Sequence, residues 1–240
     1  MPAHQTLPAP LDVLAQELAS IGTLERATKE KEYLKSARSH FGVPIPEIRK
    51  RAKALLKREK PDRERLWHWV DLLWTAGVHE MCFAATTLLR FGNQLDASDL
   101  PRIAQLIREA KTWALVDPLA IYVTGSLVEA HPNDADAVLD AWSTDEDFWV
   151  RRAAMLALLI PLRQGEGDWT RFTRYADAML EEKEFFIRKA IGWVLRERAK
   201  RRPEEVIAWS QPRWSRMSGV TRREVVKPLS EADRARLVTS

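Results

Sequence analysis

The stretch EKEFFIRKAIGWVLRERAKRRP, residues 182–203, decides the fold class of this chain. Its apolar residues recur at the 3.6-residue spacing of an amphipathic α-helix and therefore predict a single buried stripe. That stripe consists of Phe186, Ile187, Ala190, Ile191, Val194 and Leu195. Pro203 stands where proline is favoured, in the first turn of a following helix. The stretch predicts a helix over residues 184–201 and a second helix directly after it.

The same helical periodicity recurs along most of the chain, whereas strand signals are nearly absent. Glycine and proline mark the breaks, as at Gly42 with Pro44, Gly92 with Asn93, and Pro132. The predicted helices span residues 9–20, 24–38, 44–59, 63–75, 78–91, 99–111, 118–131, 134–142, 147–162, 168–182, 184–201 and 203–210, with two shorter helices in the tail.

About a dozen helices joined by short turns are typical of a helical bundle or an α-solenoid. A spacing of roughly 35 to 40 residues per helix pair favours a HEAT-like solenoid. No Gly/Ser-rich or Pro-rich linker interrupts residues 9–210. The sequence predicts one continuous all-α, HEAT-like domain over residues 1–240, with about six helix pairs. Residues 1–8 and the last 25 or so are the least defined.

Composition predicts a folded intracellular protein. Apolar residues make up 45% of the 240 residues and charged residues 30%, which is ordinary for a globular chain. The longest apolar run is about half the length needed to cross a bilayer, and the N-terminus lacks the pattern of a secretory signal. The single cysteine, Cys82, excludes an internal disulfide and a Cys-rich zinc site. We expect a cytoplasmic protein without membrane contact.

The net charge of +4 conceals an uneven distribution. Residues 26–65 hold 14 Lys and Arg against 6 Asp and Glu, residues 66–150 hold 4 against 13, and residues 186–223 hold 11 against 3. Two basic regions around an acidic middle would suit a protein that grips a polyanion at both ends. The alternative is that each charged run is simply the solvated face of a helix.

Trp193 lies away from the centre of the apolar stripe, in a row of cations. It is four residues after Lys189 and three before Arg196, and Lys200 follows one turn further on. Such a row suits a nucleic-acid surface, where basic groups bind phosphates and a flat ring packs on sugar or base. A cation–π pair or packing of Trp193 against a neighbouring repeat remains the alternative.

The segment KTWALVDPLAIYV, residues 111–123, places Trp113 and Asp117 four residues apart. Asp-Pro before an apolar run predicts a helix start, with Asp117 as the N-cap and Pro118 at the first helical position. A purely structural role as N-cap is one interpretation of Asp117. A catalytic role is the other, since capping uses only one carboxylate oxygen and leaves the second.

Two arginines, Arg151 and Arg152, follow the aromatic pair Phe148-Trp149. Adjacent residues on a helix point about 100° apart, so at most one of the two arginines faces a given partner. A guanidinium at this place can hold a phosphate or a carboxylate through two parallel hydrogen bonds.

Signals for metal or nucleophilic chemistry are weak. The histidines do not fall into metal-ligand spacings, so we expect no metal and no cofactor; they are His4, His40, His68, His79 and His131. There is no Gly-rich phosphate loop and no nucleophile elbow. His79-Glu80 resembles a fragment of a metalloprotease motif, and we interpret it as a surface pair.

With these motifs in place, the chain resembles the AlkD-like DNA alkylation repair proteins, which are HEAT-repeat alkylpurine DNA glycosylases. The resemblance is carried by EFFIRKAIGWVLRE around Trp193, by Trp-x-x-x-Asp at Trp113 and Asp117, and by FWVRRAA ending beyond Arg152. The stretch YLKSARSHFGVPIPEIRKRAK, residues 33–53, matches the N-terminal signature of that family. Together the motifs span about residues 30–205 in the order of the family.

The resemblance implies a C-shaped solenoid whose basic concave face embraces double-stranded DNA containing alkylated bases. It implies hydrolysis of the N-glycosidic bond of cationic alkylpurines, chiefly N3-methyladenine and N7-methylguanine, by a monomer that does not flip the base into a pocket. By the same resemblance, Asp117 would stabilise the oxocarbenium ion and orient the water. Trp113 and Trp193 would pack around the sugar, and Arg152 would hold the nearby phosphate.

The resemblance also implies a set of DNA-binding residues. Tyr33 and Lys35 match positions near the DNA in the family, and Lys189, Arg196 and Lys200 would contact the backbone. The sequence departs from some relatives at Val43-Pro44-Ile45-Pro46, because Pro44 stands where those relatives place a polar side chain towards the minor groove. By its position in the signature Pro44 stays among the DNA-binding residues, and the departure concerns the contact with the opposite strand and not the catalytic set.

Two alternatives to a glycosylase remain at this point. One is a non-catalytic DNA-binding relative that recognises distorted or branched DNA on the same scaffold. The other is a HEAT-type scaffold whose basic ends bind an acidic protein. The joint presence of Trp113, Asp117, Arg152 and Trp193 favours the enzyme over both.

Overall fold

A computed structural model describes residues 7–92 and 94–238, except for the side chain of Val238. His4, and Asn93 in the predicted break after Gly92, lie outside the described residues. Over the described ranges the chain is helical and holds no β-strand, only an isolated bridge between Ser39 and Val78. The prediction of an all-α fold is confirmed.

Sixteen α-helices follow one another along the described chain. The first eight are α1 (Ala9–Ile21), α2 (Leu24–Leu34), α3 (Ile45–Glu59), α4 (Arg63–Thr75), α5 (His79–Phe91), α6 (Leu100–Ala110), α7 (Trp113–Pro118) and α8 (Gly125–Ala130). The others are α9 (Pro132–Ser143), α10 (Phe148–Leu156), α11 (Leu159–Gln164), α12 (Trp169–Ala178), α13 (Phe185–Ala199), α14 (Pro203–Ser210), α15 (Gly219–Val225) and α16 (Glu231–Val238). Short 3₁₀ turns lie at Ala97–Asp99 and Gln211–Arg213, and a π-helical segment at Leu119–Thr124.

The chain divides into two compact units. Unit 1 comprises Met1–Asp99 and Ala110–Leu119, and unit 2 comprises Leu100–Glu109 and Ala120–Ser240. The single continuous domain expected from the sequence stays a prediction. None of the described helices is both long and apolar enough to cross a membrane.

Helix α5 is the centre of unit 1. Every side chain from His79 to Leu89 is buried, and the helix packs against α3, α4 and α7. Burial of apolar surface on this scale is the main force that stabilises a domain of this size. Helix α2 differs, because only Ala27 is buried and Leu24 is 83% exposed. The surface of α2 is therefore available for other contacts.

Helix α13 is the centre of unit 2 and packs against α10, α11, α14 and α15. The predicted stripe is buried as expected, except that Phe186 is only half-buried. Gly192 lies where α15 comes closest: a Cβ atom on it would stand 2.8 Å from the Cβ atom of Glu224. Real Cβ atoms do not approach that closely, so glycine lets α15 dock on α13.

Most predicted helix bounds agree with the structure within a few residues, with four exceptions. The helix predicted over residues 118–131 is the last residue of α7, a π-helical segment and α8. Helix α2 ends at Leu34 instead of residue 38, because Lys35 adopts the left-handed conformation with φ 48°. The helix predicted over residues 147–162 is two helices, α10 and α11. Helix α12 ends at Ala178, four residues before the predicted end at 182.

Candidate functional site

Asp117 lies inside α7 and is not an N-cap, so that prediction is wrong. The helix begins at Trp113, with Thr112 in the capping position, and Pro118 is its last residue. Proline removes one backbone hydrogen bond and distorts a helix, and the residues directly after Pro118 are π-helical. The Asp-Pro pair predicted a helix start, but in the structure an α-helix ends at Pro118 and a π-helical segment begins at Leu119. π-Helical turns of this kind occur frequently at functional sites.

Trp113 and Asp117 lie one helical turn apart, on one face of α7. Asp117 is 8% exposed, and Trp113 is half-buried. The ring of Tyr33, from α2, meets Trp113 edge to face with centroids 6.0 Å apart and planes at 86°. Tyr33 is otherwise 74% exposed. Within unit 1 the fold therefore brings Tyr33, which the resemblance placed near the DNA, into contact with Trp113, which the resemblance placed at the sugar.

The turn before Pro44 depends on Gly42. Its φ is +79°, and a Cβ atom there would stand 2.2 Å from the carbonyl oxygen of Thr23 and 2.6 Å from the amide nitrogen of Ala27. Both contacts are with backbone that cannot move aside without shifting α2. Glycine is thus required at this position, because the backbone has a positive φ and because a Cβ atom would clash with the backbone of α2. This is a physical reason for the glycine in the N-terminal signature.

Glu80 holds the same turn from the other side. Its carboxylate is fully buried and accepts hydrogen bonds from the amides of Phe41, Gly42 and Val43, at 3.0, 2.6 and 3.1 Å. His79 beside it is 6% exposed. The interpretation of His79-Glu80 as a surface pair is therefore wrong, because α5, which carries both residues, runs through the core. Pro44 follows this turn, half-buried, and caps the start of α3.

We expect Gly42→Ala to destabilise the protein by about 3 kcal/mol or more, because it adds a backbone clash to the strain of a positive φ. Gly77→Ala is the matched control: Gly77 has φ +72°, but nothing lies within 4 Å of its added Cβ atom. The control should lose only about 1 kcal/mol. Urea unfolding of both variants measures the difference. Equal losses would contradict the role given to the contact with Thr23 and Ala27.

Trp193 stands half-buried on α13 between two cations that share one buried anion. Lys189 and Arg196 both form ion pairs with Glu224 of α15, and Lys227 joins at 2.8 Å. The side chain of Glu224 is only 4% exposed. Burial alone would raise the pKa of this carboxyl, but the hydrogen bonds from the two lysines and the charge of Arg196 lower it to about 2. The predicted cationic row exists, with a buried counter-charge.

Lys200 continues the row one turn further on and is paired with a second buried carboxylate. Its Nζ atom lies 2.8 and 2.9 Å from the two oxygens of Glu197, and Arg163 joins at 3.0 Å. An open cleft of about 530 Å³ lies here. It is lined by Arg163, Gln164, Glu197, Lys200 and Arg201. The cleft carries more positive than negative charge.

The two neighbouring arginines of α10 have separate roles. Arg151 donates two hydrogen bonds to Glu182, at 3.0 and 2.8 Å, and stabilises the surface of unit 2. Arg152 is 3% exposed and donates to the carbonyl oxygen of Phe186 at 2.6 Å. Its guanidinium carbon also lies 5.9 Å from the centroid of the Phe186 ring. Arg152 is therefore anchored at the start of α13, the helix that carries Trp193.

The predicted residues fall into two sets. Tyr33, Trp113 and Asp117 meet in unit 1, where Lys35 is exposed at the end of α2. Arg152, Lys189, Trp193, Arg196 and Lys200 belong to unit 2. The roles of all of them, and of Pro44, stay predictions. The sequence analysis named Glu80 only as part of the His79-Glu80 pair and did not find its contact with the turn, and it missed Glu224 altogether. Each is a single acidic residue far along the chain from its partners.

Comparison with known proteins identifies the family. The family described as DNA alkylation repair enzyme matches residues 14–229. No curated protein sequence matches the chain significantly. A solved structure described as a predicted DNA alkylation repair enzyme from Enterococcus faecalis is 25% identical, with a TM-score of 0.73 over 88% of this chain and 97% of that one.

Two solved proteins from Streptococcus mutans are similar in fold. AlkD2 and the protein smu.31 are each 18% identical and cover 91% of this chain and 98% of their own, with TM-scores of 0.63 and 0.59. These matches confirm the predicted all-α helical-repeat fold. Since the family match extends over nearly the whole chain, this protein belongs to the DNA alkylation repair enzyme family.

Proposed function

We propose that this protein is a DNA glycosylase that releases cationic alkylpurines, chiefly N3-methyladenine and N7-methylguanine, from double-stranded DNA. The observation that carries the proposal is the arrangement on α7, where Asp117 lies one turn from Trp113 and Trp113 contacts the exposed Tyr33. An acidic residue one helical turn from an aromatic ring is suited to a cationic sugar intermediate. The family membership supports DNA as the substrate.

The chemistry needs few catalytic groups. An N3- or N7-alkylated purine already carries a positive charge and leaves as a neutral base, so no general acid is required. The difficult step is the formation of an oxocarbenium ion on the deoxyribose. The carboxylate of Asp117 stabilises that cation and orients the attacking water, while Trp113 and Trp193 direct their negative ring faces at the sugar. No metal or cofactor takes part in this scheme.

The remaining residues hold the DNA. Arg152 is assigned to the phosphate beside the lesion. Since its side chain is 3% exposed and donates to the carbonyl oxygen of Phe186, this contact requires the guanidinium to turn outward when DNA binds. Lys35, Lys189, Arg196 and Lys200 contact the backbone of the duplex, and Tyr33 and Pro44 pack against the groove. The basic concave face that the resemblance implies, and action as a monomer, belong to the same proposal.

The test is release of bases from methylated duplex DNA by the purified protein, in the presence of a metal chelator, with the products identified by chromatography. We expect N3-methyladenine and N7-methylguanine as free bases and abasic sites left in the DNA. Binding to duplex DNA without any base release would favour the non-catalytic DNA-binding relative. Neither binding nor release would favour a protein scaffold.

We expect DNA binding to weaken steeply with salt, because about four to five phosphates are neutralised by the predicted cations. Between 50 and 200 mM salt the affinity should fall by about 100- to 1000-fold. Lys200→Gln should reduce the slope of log affinity against log salt by about one. Fluorescence anisotropy at four salt concentrations measures both effects, and a flat response would exclude phosphate contacts as the basis of binding.

A further inference from the structure

Three side chains of types that bind metal ions lie close together in unit 1, and none of them belongs to α7. Glu30 of α2, His40 of the connection between α2 and α3, and Glu80 of α5 each offer one ligand atom, and these atoms all lie within 4.8 Å of one another. We propose that this cluster binds one divalent transition-metal ion of the zinc or manganese type, with water completing the coordination. This inference goes beyond the proposed glycosylase activity and does not depend on it.

The imidazole of His40 is the first reason for the proposal. Both of its ring nitrogens are buried, and neither has a hydrogen-bond partner among the described residues. A buried polar atom without a partner is costly, and an ion or an ordered water is the usual remedy. The ring is held in place by stacking on His79, with centroids 4.6 Å apart and planes at 7°. A fixed ring with unsatisfied nitrogens is preorganised as a ligand.

The carboxylate of Glu80 has capacity left for a metal. Its Oε1 atom accepts the amides of Gly42 and Val43, and its Oε2 atom accepts that of Phe41. A carboxylate offers about four acceptor positions, so one remains at Oε2. The three amides also fix the orientation of the group, as outer hydrogen bonds do around bound metals.

Glu30 completes the set and can close the remaining distance. Nitrogen and oxygen ligands of one tetrahedral zinc ion lie about 3.4 Å apart. The ligand atoms of the cluster lie within 4.8 Å of one another, so the longest separation has to contract by up to about 1.4 Å. Glu30 lies on α2, which buries only Ala27. One imidazole and two carboxylates form a mixed nitrogen and oxygen set that suits zinc or manganese better than magnesium or calcium.

Arg26 competes with a metal for Glu30. Its guanidinium lies 2.6 Å from the Glu30 carboxylate, and the two side chains are 44% and 25% exposed. An exposed ion pair of this kind contributes little and is readily exchanged. Metal binding would release Arg26 and tie α2 to the start of α5. Since Tyr33 is on the same helix, the ion would also steady the residue that contacts Trp113.

Calorimetric titration of the metal-free full-length protein with zinc chloride, and separately with manganese chloride, tests the proposal. We expect one site per chain. Glu30→Gln should weaken binding at least about tenfold, since it removes one of three protein ligands. Arg26→Gln should tighten it, because the competing cation is gone. Glu32→Gln is the matched control, an exposed glutamate on the same helix, and should bind as the wild type does.

The proposal is overturned if the wild type binds neither ion below about 1 mM, or if Glu30→Gln and Glu32→Gln bind equally well. Far-UV circular dichroism of each variant separates lost binding from lost folding. A rise in Tm with added metal, absent in Glu30→Gln, is the second readout expected. Base release is not used in this test, so the outcome is independent of the glycosylase proposal.

Discussion

Asp117→Asn is expected to reduce the rate of alkylpurine release by about 100- to 1000-fold while changing the affinity for duplex DNA by less than about threefold. The amide has nearly the shape of the carboxylate but no charge with which to stabilise a developing oxocarbenium ion. Asp117 is 8% exposed, and charge effects are larger where water is largely excluded. The loss should therefore fall on kcat, because DNA binding is assigned to other residues.

Single-turnover base release with excess enzyme measures this effect without interference from product release. Asp71→Asn is the control, because Asp71 is an exposed aspartate on α4 of the same unit. Its rate should equal that of the wild type. A normal rate for Asp117→Asn would remove this residue from the mechanism, while a loss confined to binding would make Asp117 a residue that positions α7.

The second large effect is expected from Glu224→Gln, which we predict destabilises the protein by about 2 to 3 kcal/mol at pH 7. Folding lowers the pKa of this carboxyl from its ordinary 4.5 to about 2. A group with a lowered pKa in the folded state stabilises the fold at pH values above 4.5 and loses that contribution as the pH falls towards 2. The gap between wild type and variant should shrink to about half or less by pH 3.

Urea unfolding at pH 7, 5, 4 and 3 tests this prediction. Glu204→Gln is the matched control, because Glu204 pairs with Arg236 at 2.7 Å but its side chain is 71% exposed. That surface pair should contribute far less at every pH. A gap for Glu224→Gln that stays constant from pH 7 to pH 3 would show that the variant acts through packing against Gly192 and not through charge.

Much of the fold could be predicted because it follows from local periodicity. The apolar stripe of α13 could be predicted from residues 182–203 alone, and five of its six positions are buried in the structure. The end of α2 could not be predicted in this way, because Lys35 takes a left-handed conformation that sequence favours only for glycine or asparagine. Asp117 was misplaced because the Asp-Pro signal outweighed the apolar pattern that begins earlier, at Trp113.

Only the local part of the candidate site could be predicted from the sequence. The spacing of Trp113 and Asp117, and of Trp193 with its cations, is local and was found directly. The buried carboxylates are not local to their partners: Glu224, beside Trp193, lies 35 residues after Lys189, and Glu80, which holds the turn before Pro44, lies 38 residues after Gly42. Only close packing of distant helices brings such groups together, and in a single sequence each of them is one acidic residue among many.

The buried carboxylate beneath Lys189, Arg196 and Lys227 has a consequence for how such a protein would search a genome. Under the proposed function, undamaged DNA outnumbers lesions by a very large factor, so each encounter has to be brief. Every phosphate contact lengthens the stay on any sequence, whether damaged or not. By cancelling one of the three charges, Glu224 would shorten the time spent on intact DNA while keeping the cations positioned around Trp193.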